Sequence, residues 1–362
     1  MSIPNSVKSI GSSAFYGCSG FASVTIPNSV TTIGSGAFFN TNIAKAIWLC
    51  NTPPSGAKVG TTINYVSNNQ FGLSNQRIYP FLSSKFEVDN VVYVPVSPSE
   101  RTCDVIDCNY NTTSKPIIID SVVTNRNIRL NVLNINPYAC YGNDSIAEVS
   151  INNKGTIGDF AFADCSKSIS LTIGKNVTEI GNYAFYCNSG LKGVAIPDNV
   201  TSVGKSAFKG CSSLESVKIG KGIDVLNESL FSGCSSLGSI TIPNNINKVC
   251  YYVFVGCESL QNVTFADATD AEKLTLTLGS NGSSPLFVAC PLDNVYIGRK
   301  LSYIASSSCG YSPFYGNASL RTVKITDNET EIYDNEFYGC SNLQEFSCGD
   351  GVIKRLFRAA RH

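Results

Sequence analysis

A repeat of 23 residues constrains the fold of this chain more than any other feature. One unit runs from Ile196 to Lys218 with the pattern Ile-Pro-x-x-Val-x-x-Val-Gly-x-x-Ala-Phe-x-Gly-Cys-x-x-Leu-x-x-Val, and Ile219 restarts it. Ten units carry a phenylalanine at the same position: Phe15, Phe38, Phe162, Phe185, Phe208, Phe231, Phe254, Phe287, Phe314 and Phe337. A fixed period of this length predicts a solenoid in which each unit is one coil and is stable only when stacked on its neighbours.

The alternation of side chains within a unit predicts short parallel strands. Val217 and Ile219 are two residues apart, so both face the interior, and the residues between and before them face outward. A second extended segment is expected at 200–204, and 206–210 is expected to form a single helical turn that buries its phenylalanine and ends at glycine. The predicted fold is therefore a repeat solenoid, a right-handed coil of short parallel β-strands with single helical turns.

The repeat divides the chain into four predicted segments. Residues 1–48 are N-terminal coils that begin inside a unit, and 135–348 hold the regular and lengthened coils. Between them, 49–134 are expected to contain degenerate coils and a β-hairpin that turns at Asp89-Asn90, although a separate small domain remains an alternative. Residues 349–362 form a tail without the repeat.

These residues closely resemble the BspA-like leucine-rich repeats, whose pattern is nearly intact at 196–217. The resemblance implies a leucine-rich-repeat fold and a cell-surface or secreted location. It also implies a role in adhesion through binding of host or other extracellular proteins, and it supplies no catalytic residues. Because the array starts inside a coil, lacks a signal peptide and ends in a tail that does not continue the pattern, we expect a monomeric piece of a longer surface protein.

Composition argues against several classes of function. Lys plus Arg and Asp plus Glu both number 27, and no long basic run is present, so nucleic acid is not an expected partner. No apolar stretch has the roughly 18 to 20 residues of a membrane-spanning helix. The single histidine is His362, so the usual base of hydrolases and the usual nitrogen ligand of metals are missing from the repeats. We therefore predict no enzymatic activity, no cofactor and no metal site.

The cysteines follow the repeat instead of a metal-binding spacing. Seven lie three residues after the repeat phenylalanine: Cys18, Cys165, Cys211, Cys234, Cys257, Cys290 and Cys340. Asn188 and Asn317 take the same position in two other coils, which predicts a buried polar ladder that satisfies backbone groups. Outside the repeat, Cys103 and Cys108 are spaced either for a local disulfide or for two free thiols. Trp48 takes an isoleucine position and is predicted to lie in the core.

The outward positions of successive strands form the candidate binding face. We call them the outward stripe, and the members we select are Thr172, Ser216, Lys218, Ser239, Thr241, Asn262, Thr264, Thr322 and Lys324. The stripe is small, polar and weakly charged, and no aromatic or arginine anchor is expected in it. The predicted function is a non-enzymatic scaffold that engages an extracellular protein or glycan through this stripe or through 49–134. The alternative is a structural spacer within a larger surface protein.

Overall fold

The structure is a computed structural model of the 362-residue chain. It describes residues 3–4, 6–11, 14–15, 18, 20, 23–27, 29–33, 37, 45–48, 63–65, 85–97, 100–108, 116–125, 127–167, 170–268, 275–279, 286–303, 312–326, 332 and 335–349. The side chain of Trp48, predicted to be core, lies outside this description, as do 51–62 and 66–84 of the interrupted segment.

Short strands dominate the described residues. They are β1 (Ser9–Ile10), β2 (Ser23–Ile26), β3 (Thr32–Ile33), β4 (Lys45–Trp48), β5 (Ile63–Tyr65), β6 (Phe86–Val88), β7 (Val91–Ser97), β8 (Thr102–Cys108), β9 (Ile117–Ile119), β10 (Val122–Asn125), β11 (Ile128–Ile135), β12 (Glu148–Ile151), β13 (Thr156–Ile157), β14 (Ser170–Ile173), β15 (Glu179–Ile180), β16 (Gly193–Ala195), β17 (Ser202–Val203), β18 (Ser216–Lys218), β19 (Val225–Leu226), β20 (Ser239–Ile242), β21 (Lys248–Val249), β22 (Asn262–Phe265), β23 (Thr275–Leu278), β24 (Asn294–Ile297), β25 (Lys300–Tyr303), β26 (Thr322–Ile325) and β27 (Glu345–Cys348).

Each regular coil contributes one strand to each of two rows. The first row contains the sheets β2-β4-β5, β9-β12-β14, β16-β18 and β20-β22-β24-β26-β27, and all of its pairs are parallel. The second row contains three sheets: β1-β3, β6-β7-β8-β11-β13-β15-β17 with β10 paired to β11, and β19-β21-β23-β25. The predicted solenoid of parallel strands is therefore confirmed.

Burial follows the predicted alternation along a strand. In β20, Ile240 and Ile242 are buried, whereas Ser239 and Thr241 are exposed. The cross-strand register pairs Ile240 with Val263 in β22, so apolar side chains of adjacent coils meet inside the solenoid. This continuous interior provides the hydrophobic burial that a single coil lacks.

The segment that carries the repeat phenylalanine is not helical. Within the described residues it forms successive turns, in which Ser206 and Gly210 have φ angles of 55° and 77°. The Phe208 amide donates to the carbonyl of Leu230 in the next coil, 3.1 Å away, and the Gly210 amide donates to Ser232 at 2.8 Å. Because these amides bond between coils, they cannot also donate along a helix. The prediction of a single helical turn is therefore wrong.

Eight of the repeat phenylalanines, from Phe162 to Phe337, form one continuous stack, which we call the phenylalanine ladder. Neighbouring rings from Phe162 to Phe337 lie nearly parallel, with centroids 5.3 to 6.2 Å apart. The central ring, Phe208, is fully buried. Offset parallel rings at this spacing add about 0.5 to 1.5 kcal/mol per pair beyond the area they bury.

A disulfide marks the start of this ladder. Cys140 lies at the phenylalanine position of the coil before Phe162, and it is bonded to Cys108 at the end of β8, with the two Cα atoms 4.9 Å apart. Cys103 is a buried free thiol. The local disulfide between Cys103 and Cys108 considered above is therefore wrong, because alternation along β8 and its partners places Cys108 beside Cys140.

The strands β6, β7, β8, β10 and β11 are joined to the repeat array through the second row, and β9 is joined to it through the first. The antiparallel pair β6-β7 turns at Asp89 and Asn90, whose φ angles of 50° and 67° fit a two-residue hairpin turn. These residues therefore form a β-hairpin. Beyond it, β8 and β11 pair in parallel and lead to β13 in the regular array. The exact segment boundaries of the chain stay a prediction.

Candidate binding surface

The first strand row places the predicted outward stripe on one surface. Seven of the selected side chains are exposed: Thr172, Ser216, Lys218, Ser239, Thr241, Asn262 and Lys324. Thr264 and Thr322 are partly exposed. Register pairs the stripe across strands, with Ser239 beside Asn262 and Thr241 beside Thr264. The sheets of this row adjoin, since β14 contacts β16 and β18 contacts β20.

The outward side chains are small on most of the strands from β14 to β20. The outward positions are Ser170 and Thr172 on β14, Gly193 and Ala195 on β16, and then serines, threonine and one lysine on β18 and β20. Because these side chains are short, this part of the sheet surface is flat. Such a surface can contact a partner over many coils but concentrates little binding energy at one point.

A hydrogen-bonded network of larger side chains occupies the outward surface from β22 to β26. The amide nitrogen of Asn294 donates to Oδ1 of Asn262 at 2.9 Å and to Oδ2 of Asp293 at 3.2 Å. Arg321 donates to both carboxylate oxygens of Asp293, with Nη2 to Oδ2 at 2.8 Å and a second bond from Nε. This bidentate hydrogen bond lowers the pKa of Asp293 and raises that of Arg321.

Tyr296 lies beside this network, on the outward side of β24, two residues after Asn294. Register places it between Thr264 and Lys324. Its hydroxyl donates to the Asp267 carboxylate, 3.0 Å from both oxygens, and Nζ of Lys324 is 5.9 Å from the ring centroid. Desolvation, followed by the bond to Asp267, raises the pKa of Tyr296, so the hydroxyl is protonated at neutral pH. The expectation that the stripe has no aromatic anchor is therefore wrong, and Arg321 lies next to the stripe, directly before β26.

The cysteine ladder lies inside the solenoid and acts on the backbone. The thiols of Cys211, Cys234 and Cys257 donate to phenylalanine carbonyls of a preceding coil at 3.2 to 3.3 Å. Asn188 replaces one of them and accepts from the amide of Cys165 at 2.8 Å. Burial raises the pKa of Cys234 to about 12, so it is not a nucleophile at neutral pH. The predicted polar ladder is confirmed.

A cleft of about 640 Å³ opens on the turn side of the solenoid, between the turns at 287–291 and 313–319. Phe287, Pro291, Tyr315 and backbone groups line it, and Glu258 is the one charged side chain among its described lining residues. The thiol of Cys290 also lines the cleft, but it donates to the backbone carbonyl of Phe254 at 3.0 Å. The cleft could accept a small ligand but offers no catalytic arrangement within the described residues.

No group of three or more histidine, cysteine or acidic side chains that could hold a metal occurs within the described ranges. The same residues include no helix that could span a lipid bilayer.

Three solved structures illustrate the similarity to other repeat proteins. A leucine-rich repeat protein from Bacteroides ovatus is 24% identical, with 74% of this chain and 77% of that chain covered and a TM-score of 0.43. The leucine-rich repeat protein of T. pallidum is 20% identical over 57% of this chain and 91% of that chain, with a TM-score of 0.47. The pneumococcal vaccine antigen PcpA is 14% identical over 74% and 78%, with a TM-score of 0.43. No curated protein matches the sequence significantly.

The repeat itself matches a family model. Six copies of the BspA type leucine-rich repeat region match residues 1–74, 133–261 and 283–354, which together make up well over half of the chain. The matched residues carry the stacked coils, the phenylalanine ladder and the cysteine ladder described above. The chain therefore belongs to the family of BspA type leucine-rich repeat proteins.

Proposed function

We propose that this protein is a non-enzymatic binding scaffold, located at the cell surface or secreted, that engages an extracellular protein or glycan through the outward stripe. The observation that carries the proposal is the first strand row, which presents one continuous face of outward side chains from successive coils. These side chains do not pack in the core, so they are available to a partner. Adjacent strands present them about 4.8 Å apart, which suits a partner that spans several coils.

Two further observations support an extracellular role. Membership of the repeat family is consistent with a surface protein, and the disulfide between Cys108 and Cys140 is of a kind that forms and persists in oxidising compartments. The lack of a nucleophile, base and orienting group brought together in the described residues favours binding over catalysis.

The test measures binding of the purified protein to immobilised extracellular-matrix and plasma proteins. The variant Thr241→Glu with Thr264→Glu places two carboxylates on neighbouring strands of the stripe, where we expect binding to fall at least tenfold. The matched control is Thr178→Glu with Ser202→Glu, which adds the same charge at exposed positions in and beside the second strand row. Urea unfolding checks that both variants remain folded.

A variant that lacks 49–134 separates the two surfaces proposed for binding. Because β8, β9 and β11 in this segment pair with the array, urea unfolding must first show that the variant is folded; loss of binding only in a folded deletion variant would move the site to that segment. No binding by the folded, unmodified protein to any probe would contradict the proposal and favour the structural spacer.

A further inference from the structure

The network from β22 to β26 differs from the rest of the outward stripe in a way that the fold does not require. Equivalent positions on β18 and β20 hold serine, threonine and lysine without a side-chain network among the described residues. On β24 the same two positions hold Asn294 and Tyr296, both bonded to side chains of other coils. The inward side chains that stack the coils are buried and aliphatic on both strands, Ile240 and Ile242 on β20 and Val295 and Ile297 on β24, so stacking does not require the outward network.

Stability does not explain the network either. The Arg321 side chain is 58% exposed, and ion pairs this exposed to solvent contribute little to stability. Nevertheless, Asn294, Asp293 and Tyr296 are each held in one orientation by hydrogen bonds across coils. Polar groups fixed before a ligand arrives lower the entropic cost of binding it.

The formal charges of this cluster and its neighbours balance, since Asp293 and Asp267 are offset by Arg321 and Lys324, which favours a neutral partner. Asp293 is neutralised by Arg321, and Lys324 lies over the ring whose hydroxyl bonds Asp267. Hydrogen-bonding capacity nevertheless remains, because a guanidinium has five N–H groups, of which two are used, and each carboxylate has further lone pairs. A ligand rich in hydroxyl groups can use these donors and acceptors without carrying a charge, and the apolar face of a sugar ring can pack on tyrosine.

We propose that the cluster formed by Asn262, Asp293, Asn294, Tyr296 and Arg321 is a recognition site for a neutral oligosaccharide, with Tyr296 as the surface on which a sugar ring packs. This rests on the proposed function, since it assigns a ligand class to one end of the outward stripe. Lys324 is free to move aside as the sugar arrives, because the ring contact at 5.9 Å is its only described side-chain partner and the residue is exposed.

The test is an array of neutral oligosaccharides that end in galactose, mannose, fucose or N-acetylglucosamine, with sialylated and sulfated oligosaccharides as charged probes. We expect the protein to bind one or more neutral probes, with less than about twofold change in affinity between low and high salt. Tyr296→Ala should weaken this binding at least tenfold. Tyr296→Phe keeps the ring but loses the bond to Asp267, and it should weaken binding only a few-fold.

Tyr338→Ala is the matched control, because Tyr338 is 48% exposed and lies on the turn side of the solenoid. It should leave binding unchanged. Equal binding by the protein and by Tyr296→Ala, or binding of charged probes alone, would overturn the oligosaccharide site. Binding only to extracellular proteins stripped of their glycans would overturn it too but leave the proposed scaffold function standing. No binding to any oligosaccharide or protein would overturn both.

Discussion

Replacement of Phe208 with alanine is expected to lower the free energy of unfolding by about 3 to 5 kcal/mol. The ring is fully buried and stacks on Phe185 and Phe231, with centroids 5.3 and 5.9 Å away. The substitution therefore removes the transfer free energy of a whole side chain and two aromatic contacts of about 0.5 to 1.5 kcal/mol each. The flanking coils cannot close the gap, because hydrogen bonds between their turns fix the spacing of the coils, as from the Phe185 amide to the Ala207 carbonyl at 2.8 Å.

Urea unfolding, followed by far-ultraviolet circular dichroism of the backbone, measures this loss. Phe337→Ala is the matched control, because Phe337 is only partly buried and has a parallel ring on one side alone, Phe314 at 5.4 Å, besides an edge contact with Phe346 at 5.8 Å. We expect it to cost less than half as much. A loss below about 1 kcal/mol for Phe208→Ala, or equal losses in the two variants, would refute the argument that two-sided stacking in the ladder stabilises the fold.

Three further outcomes are expected. Denatured but unreduced protein should contain at least eleven titratable thiols, and peptide mapping should find Cys108 joined to Cys140; a single remaining thiol among the fifteen cysteines would contradict the ladder. Burial raises the pKa of Asp104 from 3.8 to about 6, so the folded state binds this proton more tightly than the unfolded state does. The contribution of Asp104 to stability therefore falls as pH rises from about 4 to 6. In a plot of unfolding free energy against pH, Asp104→Asn should remove this fall, which amounts to about 3 kcal/mol or less. Arg299 is fully buried and donates to three backbone carbonyls, so Arg299→Ala should cost about 2 to 4 kcal/mol, against less than about 0.5 for Lys300→Ala, as measured by urea unfolding.

The strands and the core could be predicted from sequence because each coil repeats the same environment. The outward and inward positions alternate within a few residues, so Val217 and Ile219 identify the core face without any knowledge of distant contacts. The turn at 206–210 could not be predicted in the same way. Its small residues and final glycine fit a helical turn, and what excludes the helix is the bond from Phe208 to Leu230 in the next coil.

The disulfide was missed for a similar reason. Cys140 occupies a phenylalanine position in the repeat, but its partner Cys108 belongs to a strand outside the regular period, 32 residues away. Spacing alone does not determine which cysteines pair. Cys103 is much nearer to Cys108 in the sequence, but it does not pair with it and remains a buried free thiol.

Tyr296 could have been found from the sequence, because it follows the same alternation as Thr264 and Lys324. It lies in a lengthened coil, where equivalent positions are no longer 23 residues apart. Outward positions there must be located from the alternation within the strand itself. Its bonds to Asp267 and the pairing of Asp293 with Arg321 depend on residues 28 or 29 positions apart, which only the stacked coils bring together.

The architecture separates the residues that hold the fold from those that can bind. An inward change such as Phe208→Ala disturbs two neighbouring coils at once, because the ladder is continuous on both sides. An outward change on the first strand row meets solvent, so Thr241, Thr264 and Tyr296 can differ in size without altering the coils that carry them. Binding specificity can therefore vary from coil to coil at little cost in stability, and an unusual outward side chain is better explained by a ligand than by packing.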